Sequence, residues 1–394
     1  MKLSSTGIQT LECVLKRHPG IRNNVTSDCF QIRRIEPKND ACNDKLQNGH
    51  VKMKTIALSV DPYMRCMLDP DHPQLGEYLS PMELSQPLSG GGVGLVTESK
   101  HEHFPTGTIA VVPFQGYPWK TRTVLDANDR ALNLRPVTFD QRPTLDLGVL
   151  GMPGVTSYFC MLSAGNPKKN DTVIVSGAAG ACGSLAGQLA KRKGAHVIGI
   201  CGTDEKCNVL TSYLDYDQAI NYKSTTFHQD LIDAVPNGVD VYMDNVGGEI
   251  SDLILPLMNP NGRVPICGQI SNYNKDIKYM EMVSEEGVSD PQTRKLLKEN
   301  NVDRKRFLVL DYENEWEEAM VELSQMVMNG EIVIPETIDT NTFDPGQAFV
   351  DMMNGGNIGK ASYVHPDFVG EWDQERMLIR ENKSDADIKR IWRW

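Results

Sequence analysis

The chain has 394 residues, of which 40% are hydrophobic, and carries a formal net charge of −12. That length suggests two domains or more, with enough apolar residues for sizeable cores, and the charge opposes binding to nucleic acid or to anionic membrane surfaces. No segment reaches the roughly 18 apolar residues of a membrane span and no N-terminal apolar run resembles a signal peptide, so a cytoplasmic protein is the expectation.

Residues 1–147 alternate short apolar runs with turn signals, as at Met53 to Val60 and at Thr108 to Val112. That spacing predicts an antiparallel barrel. Gly90-Gly91-Gly92-Val93-Gly94 leads into Leu95-Val96-Thr97, so it reads as a barrel bend, not a phosphate loop. The cysteines are scattered without a Cys-x-x-Cys pair, which predicts free thiols and no zinc site. His101-Glu102-His103 reads as a solvated polar loop.

Met152-Pro153-Gly154-Val155-Thr156-Ser157-Tyr158 opens a second region with a different rhythm. Val173-Ile174-Val175 has the character of a buried parallel strand, and a tight turn runs from Gly177 to Gly183. A helical stripe of Leu185, Ala186, Leu189 and Ala190 follows, then Gly194 and a second strand, His196 to Ile200. This is a βαβ unit of the dinucleotide-binding kind. Its turn reads Ala178-x-Gly180-x-x-Gly183, with alanine at the usual first glycine. Gly180 would let backbone approach a pyrophosphate, and Gly183 would let helix pack on strand.

The alternation continues. Thr203 is a helix N-cap candidate, Ala219 to Tyr222 a third strand, and Thr226 with Gln229 has capping-box spacing. Val239 to Met243 is a fourth strand and Arg263 to Cys267 a fifth, despite Pro265. Phe307-Leu308-Val309-Leu310 is the expected sixth, and an amphipathic helix spans Trp316 to Met328. Strand-like segments return at Ile332-Val333-Ile334 and Ala361 to Val364, and a charged stretch with three tryptophans closes the chain. Ligands of such sheets sit outside the carboxyl ends of the strands, which points to Asn245, to Cys267-Gly268 with the loop after it, and to the end of the sixth strand.

The segments LSVDPYMRC (from Leu58), GMPGVTS (from Gly151), VSGAAGACGS (from Val175), GICGTDEKC (from Gly199), AINYK (from Ala219), GVDVYMDNVGG (from Gly238), CGQISNYNKD (from Cys267), RFLVL (from Arg306) and GGNIGK (from Gly355) carry a family resemblance. The chain resembles the zinc-lacking medium-chain dehydrogenase/reductases and, within them, the prostaglandin reductases. The resemblance implies an α/β protein with a Rossmann doubly wound parallel sheet domain and a GroES-like β-barrel catalytic domain. It divides the chain into 1–147, completed by about 320–366, a nucleotide domain at 148–319 and a tail at 367–394. Zinc-dependent relatives carry a His-Glu pair where this chain has Ser89-Gly90, which implies no metal.

An acid at the end of the second strand would favour NAD; here the strand ends Cys201-Gly202-Thr203 and Lys206 follows. Lysine can pair with the 2′-phosphate of NADPH, whereas Asp204 and Glu205 suit a helix N-terminus. The resemblance implies NADPH, with Lys206 and Tyr222 at its phosphate and Gly180, Ala181, Cys182 and Gly183 at the pyrophosphate. It lays Asn245, Cys267, Gly268, Gln269, Ile270, Ser271, Asn272 and Tyr273 along the cofactor. Phe307, Leu308, Val309 and Asn357 lie near the nicotinamide, where Thr156 touches the amide or caps a helix.

Tyr273 and Tyr78 are the candidate catalytic hydroxyls, and Phe114, Tyr117, Leu308, Val309 and Leu310 the candidate substrate lining. Bland alternatives stand beside these: a solvated lysine at 206, a plain strand aromatic at 222, ordinary loop tyrosines at 273 and 78. The expected function is NADPH-dependent reduction of the conjugated double bond of small lipid enones, 15-oxo-prostaglandins above all, by a monomer or homodimer. A quinone reductase on the same scaffold and a non-catalytic NADPH-binding protein are the rival readings.

Overall fold

A computed structural model describes residues 9–75 and 79–368, so Tyr78 and all but the first two residues of the expected tail lie outside the described residues. Two large sheets organise the chain. Strands β1 (Leu11–Leu15) and β2 (Phe30–Arg34) form a separate antiparallel ribbon. Then come β3 (His50–Ser59), the short helix α1 (Met64–Met67), β4 (Ser89–Ser99), β5 (Ile109–Pro118), β6 (Arg122–Asp126) and β7 (Arg135–Pro136). With β14 (Glu336–Asp339) and β15 (Lys360–Val364) from far along the chain they make a seven-stranded sheet, ordered β14-β15-β3-β4-β5-β7, with β6 pairing β3.

The glycine run lies inside β4, and its purpose is steric. A Cβ on Gly92 would sit 2.4 Å from the ring of Tyr117, and one on Gly94 2.5 Å from its hydroxyl. The Tyr117 ring therefore fills the space that these glycines leave empty. It is fully buried, and its hydroxyl is 3.0 Å from Thr55 Oγ1. Burial pushes its pKa well above the usual phenol value. Tyr117 is thus barrel core, which corrects its expected place in a substrate pocket.

Between β7 and β14 runs the parallel sheet. Helix α2 (Met152–Tyr158) opens the region, with Gly151 as its N-cap. Thr156 lies inside that helix, so capping is not its role. The strands are β8 (Thr172–Ser176), β9 (His196–Cys201), β10 (Gln218–Asn221), β11 (Val239–Met243), β12 (Met258–Ile266) and β13 (Asp303–Arg306). Helix α3 (Ala181–Arg192) joins β8 to β9, and α4 (Asp204–Tyr213) joins β9 to β10. All pairs are parallel, in the order β10-β9-β8-β11-β12-β13. This is the doubly wound order, with its switch point between β8 and β11. Together the two sheets establish the expected α/β class.

Several boundaries depart from expectation. The sixth strand comes earlier, at Asp303–Arg306. It is polar because it is the sheet edge, where side chains meet water. The apolar run that follows folds off the strand end, with Phe307 and Val309 buried. Ile332, Val333 and Ile334 form no strand; they are buried against helix α3, where the Gln188 amide both donates to Val333 O (2.9 Å) and accepts from Val333 N (2.8 Å). Thr226 heads its helix without capping it: its hydroxyl donates to Asp230, and Gln229 bonds Asp233. Thr203, by contrast, caps α4 by accepting from Lys206 N.

Candidate functional site

The crevice at the switch point is built from three loops. The first is the glycine turn after β8. Gly177 has φ +60°, a conformation that a side chain rarely adopts. A Cβ on Gly183 would lie 2.4 Å from Gly177 O and 2.6 Å from Ala178 Cα. Close contact of helix on turn therefore demands glycine there. A Cβ on Gly180 would meet only Gly177 O, at 3.3 Å, so that side of the turn is open. Helix geometry leaves the N–H groups of Ala181, Cys182 and Gly183 without intrahelical partners, as a pyrophosphate site requires. Because the atoms facing Gly183 are backbone, Gly183→Ala should destabilise the fold by about 1–3 kcal/mol. A thermal unfolding scan checks this; an unchanged midpoint would mean that the turn relaxes freely.

The second and third loops follow β11 and β12 and are knitted together. Cys267 N and Gly268 N donate to Asp244 O (2.9 and 3.0 Å), Ile270 N to Asn245 O (3.3 Å) and Ser271 N to Val246 O (3.0 Å). At their centre is Asp244, 1% exposed. Its carboxylate accepts from Gly247 N (2.8 Å), Tyr242 Oη (2.9 Å), Ser251 Oγ (2.9 Å) and Gln269 Nε2 (3.2 Å). Gln269 is thereby committed to the knot, with Asn272 Nδ2 donating to its Oε1. Asn245 spans the switch point, donating from its side chain to Ser176 O (2.8 Å) and from its backbone to Ser176 Oγ (2.9 Å). Asp244 was not singled out in the sequence, although the Asp that opens Asp244-Asn245-Val246-Gly247-Gly248 is a recognisable turn signal.

At the far end of β9 a cationic corner forms. Lys206 Nζ donates to Gly355 O (2.8 Å), Lys223 is close enough to act on it, and burial, helped by that neighbouring charge, lowers the Lys206 pKa. Tyr222 lies just past β10, 41% exposed, its ring over the backbone of Gly202. Asn221 Nδ2 holds Asp204 Oδ1 at 2.8 Å, which turns that carboxylate toward the strand. Two lysines and an exposed phenol suit a phosphate dianion. Lys223 was missed as a site residue; it sits beside Tyr222, where a second cation is the natural thing to look for.

The C-terminal return strand reaches the same crevice. Gly359 N donates to Ala179 O at 2.7 Å, and Asn357 Nδ2 is engaged with Gly359 O. Phe307 stacks on Tyr312 at 5.6 Å and Tyr312 on Phe159 at 4.7 Å, beyond the carboxyl end of the sheet. Leu308 and Leu310 beside them are half-buried. Thiols cluster here too: a hydrogen bond to Cys267, together with burial, pushes the Cys182 thiol well above its ordinary value. Tyr273 ends the turn Ile270–Asn272, half-buried, packed against the barrel core. Its hydroxyl lies 3.5 Å from where a Gly268 Cβ would be. Phe114 tilts against Tyr63 at 5.0 Å on the barrel side.

Among the described residues no group of three or more His, Cys, Asp or Glu could hold a metal ion, and no helix is long and apolar enough to cross a membrane. Ser89, Gly90 and Gly91 in β4 carry no zinc-ligating side chain.

A doubly wound sheet with an open glycine turn, set against a barrel that contributes side chains to the same crevice, defines a dinucleotide-dependent oxidoreductase. Residues 181–325 match the family described as zinc-binding dehydrogenase, and residues 12–131 match the N-terminal domain of oxidoreductase. The chain is 35% identical to prostaglandin reductase 1 of Rattus norvegicus over 90% of this chain and 98% of that protein. It is 33% identical to the NADPH-dependent curcumin reductase of Escherichia coli (strain K12), over 79% of this chain and 86% of that one. The crystal structure of CurA in complex with NADPH from Vibrio vulnificus superposes with a TM-score of 0.78 at 28% identity, covering 90% of this chain and 99% of that one. The chain belongs to the medium-chain dehydrogenase/reductase family.

Proposed function

We propose that this NADPH-dependent oxidoreductase reduces the conjugated carbon–carbon double bond of α,β-unsaturated ketones, with 15-oxo-prostaglandins its principal substrates, as in prostaglandin reductase 2. The observation that carries the reading is Tyr273. It is a phenol on the loop after β12, at the carboxyl edge of the sheet, packed against the barrel. The two relatives with named substrates reduce prostaglandins and curcumin, and this supports an enone as the acceptor.

NADPH, when bound, supplies the hydride. Ala181, Cys182 and Gly183 would hold its pyrophosphate, and Lys206, Lys223 and Tyr222 its 2′-phosphate. The Tyr273 hydroxyl donates to the substrate's carbonyl oxygen, where negative charge builds as the β-carbon is reduced. Protonation of the α-carbon completes the reaction. Phe114, Leu308, Val309 and Leu310 supply apolar lining for a lipid chain, and the buried ring of Phe307, stacked on half-buried Tyr312, limits water at that end.

The test is a panel of enones, quinones and alcohols followed by NADPH consumption, with product identification and a parallel run after exhaustive chelation. Saturated ketones from enones, unaffected by the chelator, are expected. Turnover of quinones alone, or activity lost with a stoichiometric metal, would overturn the reading.

A further inference from the structure

The Tyr273 loop is short of backbone ladder, consisting of the single turn Ile270–Asn272 and its flanks. It is nevertheless gripped from the barrel side at three successive residues. Gln74 Nε2 donates to Asn272 O at 2.7 Å. His72 Nε2 lies 2.9 Å from Tyr273 O. Arg65 Nε donates to Asn274 Oδ1 at 2.7 Å.

Each gripping side chain is itself fixed. Arg65 is fully buried; its other nitrogens donate to Asp69 Oδ2 (2.8 Å) and Gly20 O (2.9 Å). His72 Nδ1 accepts from Gln74 N at 3.2 Å, so the proton of the neutral ring sits on Nε2, facing the Tyr273 carbonyl. Gln74 is 5% exposed. A buried arginine with a rigid fork is costly to place unless its directionality is used, and here it is aimed across the gap between two sheets.

We propose that Arg65, His72, Gln74 and Asn274 form a clasp that sets the position of the Tyr273 hydroxyl relative to the barrel wall, and so tunes turnover without touching substrate. They are positioning residues, and the inference rests on the reading of Tyr273 as the carbonyl donor. A donor must be held within about 0.5 Å of its productive place, and an error of roughly 1 Å can cost up to 10²-fold.

The experiment is a kinetic double-mutant cycle on a 15-oxo enone with Asn274→Ala, Tyr273→Phe and the pair, beside the rescue variant Asn274→Asp. Asn274 is partly exposed, so its truncation removes little packing, but it takes the acceptor from the buried Arg65 Nε. Asn274→Ala should lower kcat on the order of 5-fold with the KM for NADPH little changed, and should lower the unfolding midpoint modestly because Arg65 Nε loses an acceptor. Asn274→Asp keeps an oxygen for Arg65 and should recover most of that loss. In the Tyr273→Phe background the Asn274 truncation should cost nothing further, because there is no hydroxyl left to misplace. Gln74→Ala, run through the same cycle, gives a second measurement on the other flank of Tyr273, at Asn272. If Tyr273→Phe alone leaves kcat unchanged, the donor reading falls and the clasp proposal with it. If Tyr273→Phe is impaired but the Asn274 and Gln74 losses are absent, or multiply with it, the clasp is overturned and the donor reading stands.

Discussion

Lys206→Ala should raise the KM for NADPH on the order of 10- to 100-fold and leave that for NADH nearly unchanged. A charge-assisted contact to a phosphate is typically worth ~1.5–3 kcal/mol, which corresponds to that range. Lys206 is already held toward the crevice by Gly355 O, so little side-chain entropy remains to be lost when phosphate arrives. Lys223 survives the substitution and keeps the loss from being total. The preference should also depend on pH. Only the protonated amine attracts the phosphate, and burial has lowered the Lys206 pKa. Discrimination in kcat/KM should therefore be full at neutral pH and decline as pH rises, sooner than an unperturbed lysine with its pKa of about 10.4 would allow. Steady-state kinetics with both cofactors across pH checks both statements. Equal weakening of NADPH and NADH would remove Lys206 from the phosphate corner.

Tyr273→Phe should lower kcat about 10-fold and barely alter NADPH affinity or stability. The substitution deletes one hydroxyl and keeps the ring that packs on the barrel core. A donor to an oxygen that gains charge bonds more strongly in the transition state than in the ground state, so its loss falls on turnover more than on substrate KM. Elsewhere a lost oxyanion donor costs ~10²–10³-fold; the smaller figure here allows for a cofactor ribose hydroxyl as a second donor. The measurement is initial rates on a 15-oxo-prostaglandin beside a cofactor titration. An unchanged kcat would return Tyr273 to an ordinary loop tyrosine and make Tyr78 the residue to test.

The sequence was most legible where periodicity and special backbone geometry coincide. The strands from Val173 and His196 are buried on both faces, the helix beyond Gly183 is buried as far as Ala190, and the glycines answer to contacts that a Cβ would break. The sixth strand was misread because an edge strand in a parallel sheet loses the apolar signature of its buried neighbours; the eye is drawn instead to the apolar residues that fold off its end. Ile332 to Ile334 misled in the opposite sense: they are apolar because they are buried, but a glutamine side chain rather than a strand partner satisfies the backbone at Val333. Tyr117 could not be sorted between pocket and core without knowing that Gly92 and Gly94 lie beneath it. Arg65, His72 and Gln74 were invisible as a group, since they act about 200 residues away in sequence on a loop whose partners no local pattern reveals.

Strand β15 lies between β14 and β3, pairing antiparallel with β3, and the loop before it bonds the glycine turn. Lys360 Nζ, buried, donates to Val60 O at 2.8 Å across 300 positions of chain. During synthesis this has a temporal meaning. At ~5–20 residues per second, the ribosome completes β3 many seconds before its partner β15 exists. The whole parallel sheet emerges in the interval and can fold first, while Ala57 to Ser59 of β3, beyond the part that β6 pairs, wait for β15. Closing so long a loop makes the last pairing slow, and it is the event that also brings Gly359 to Ala179. The finished crevice, with Gly359 bonded to Ala179, is thus completed only once β15 has been made, long after the glycine turn it closes on.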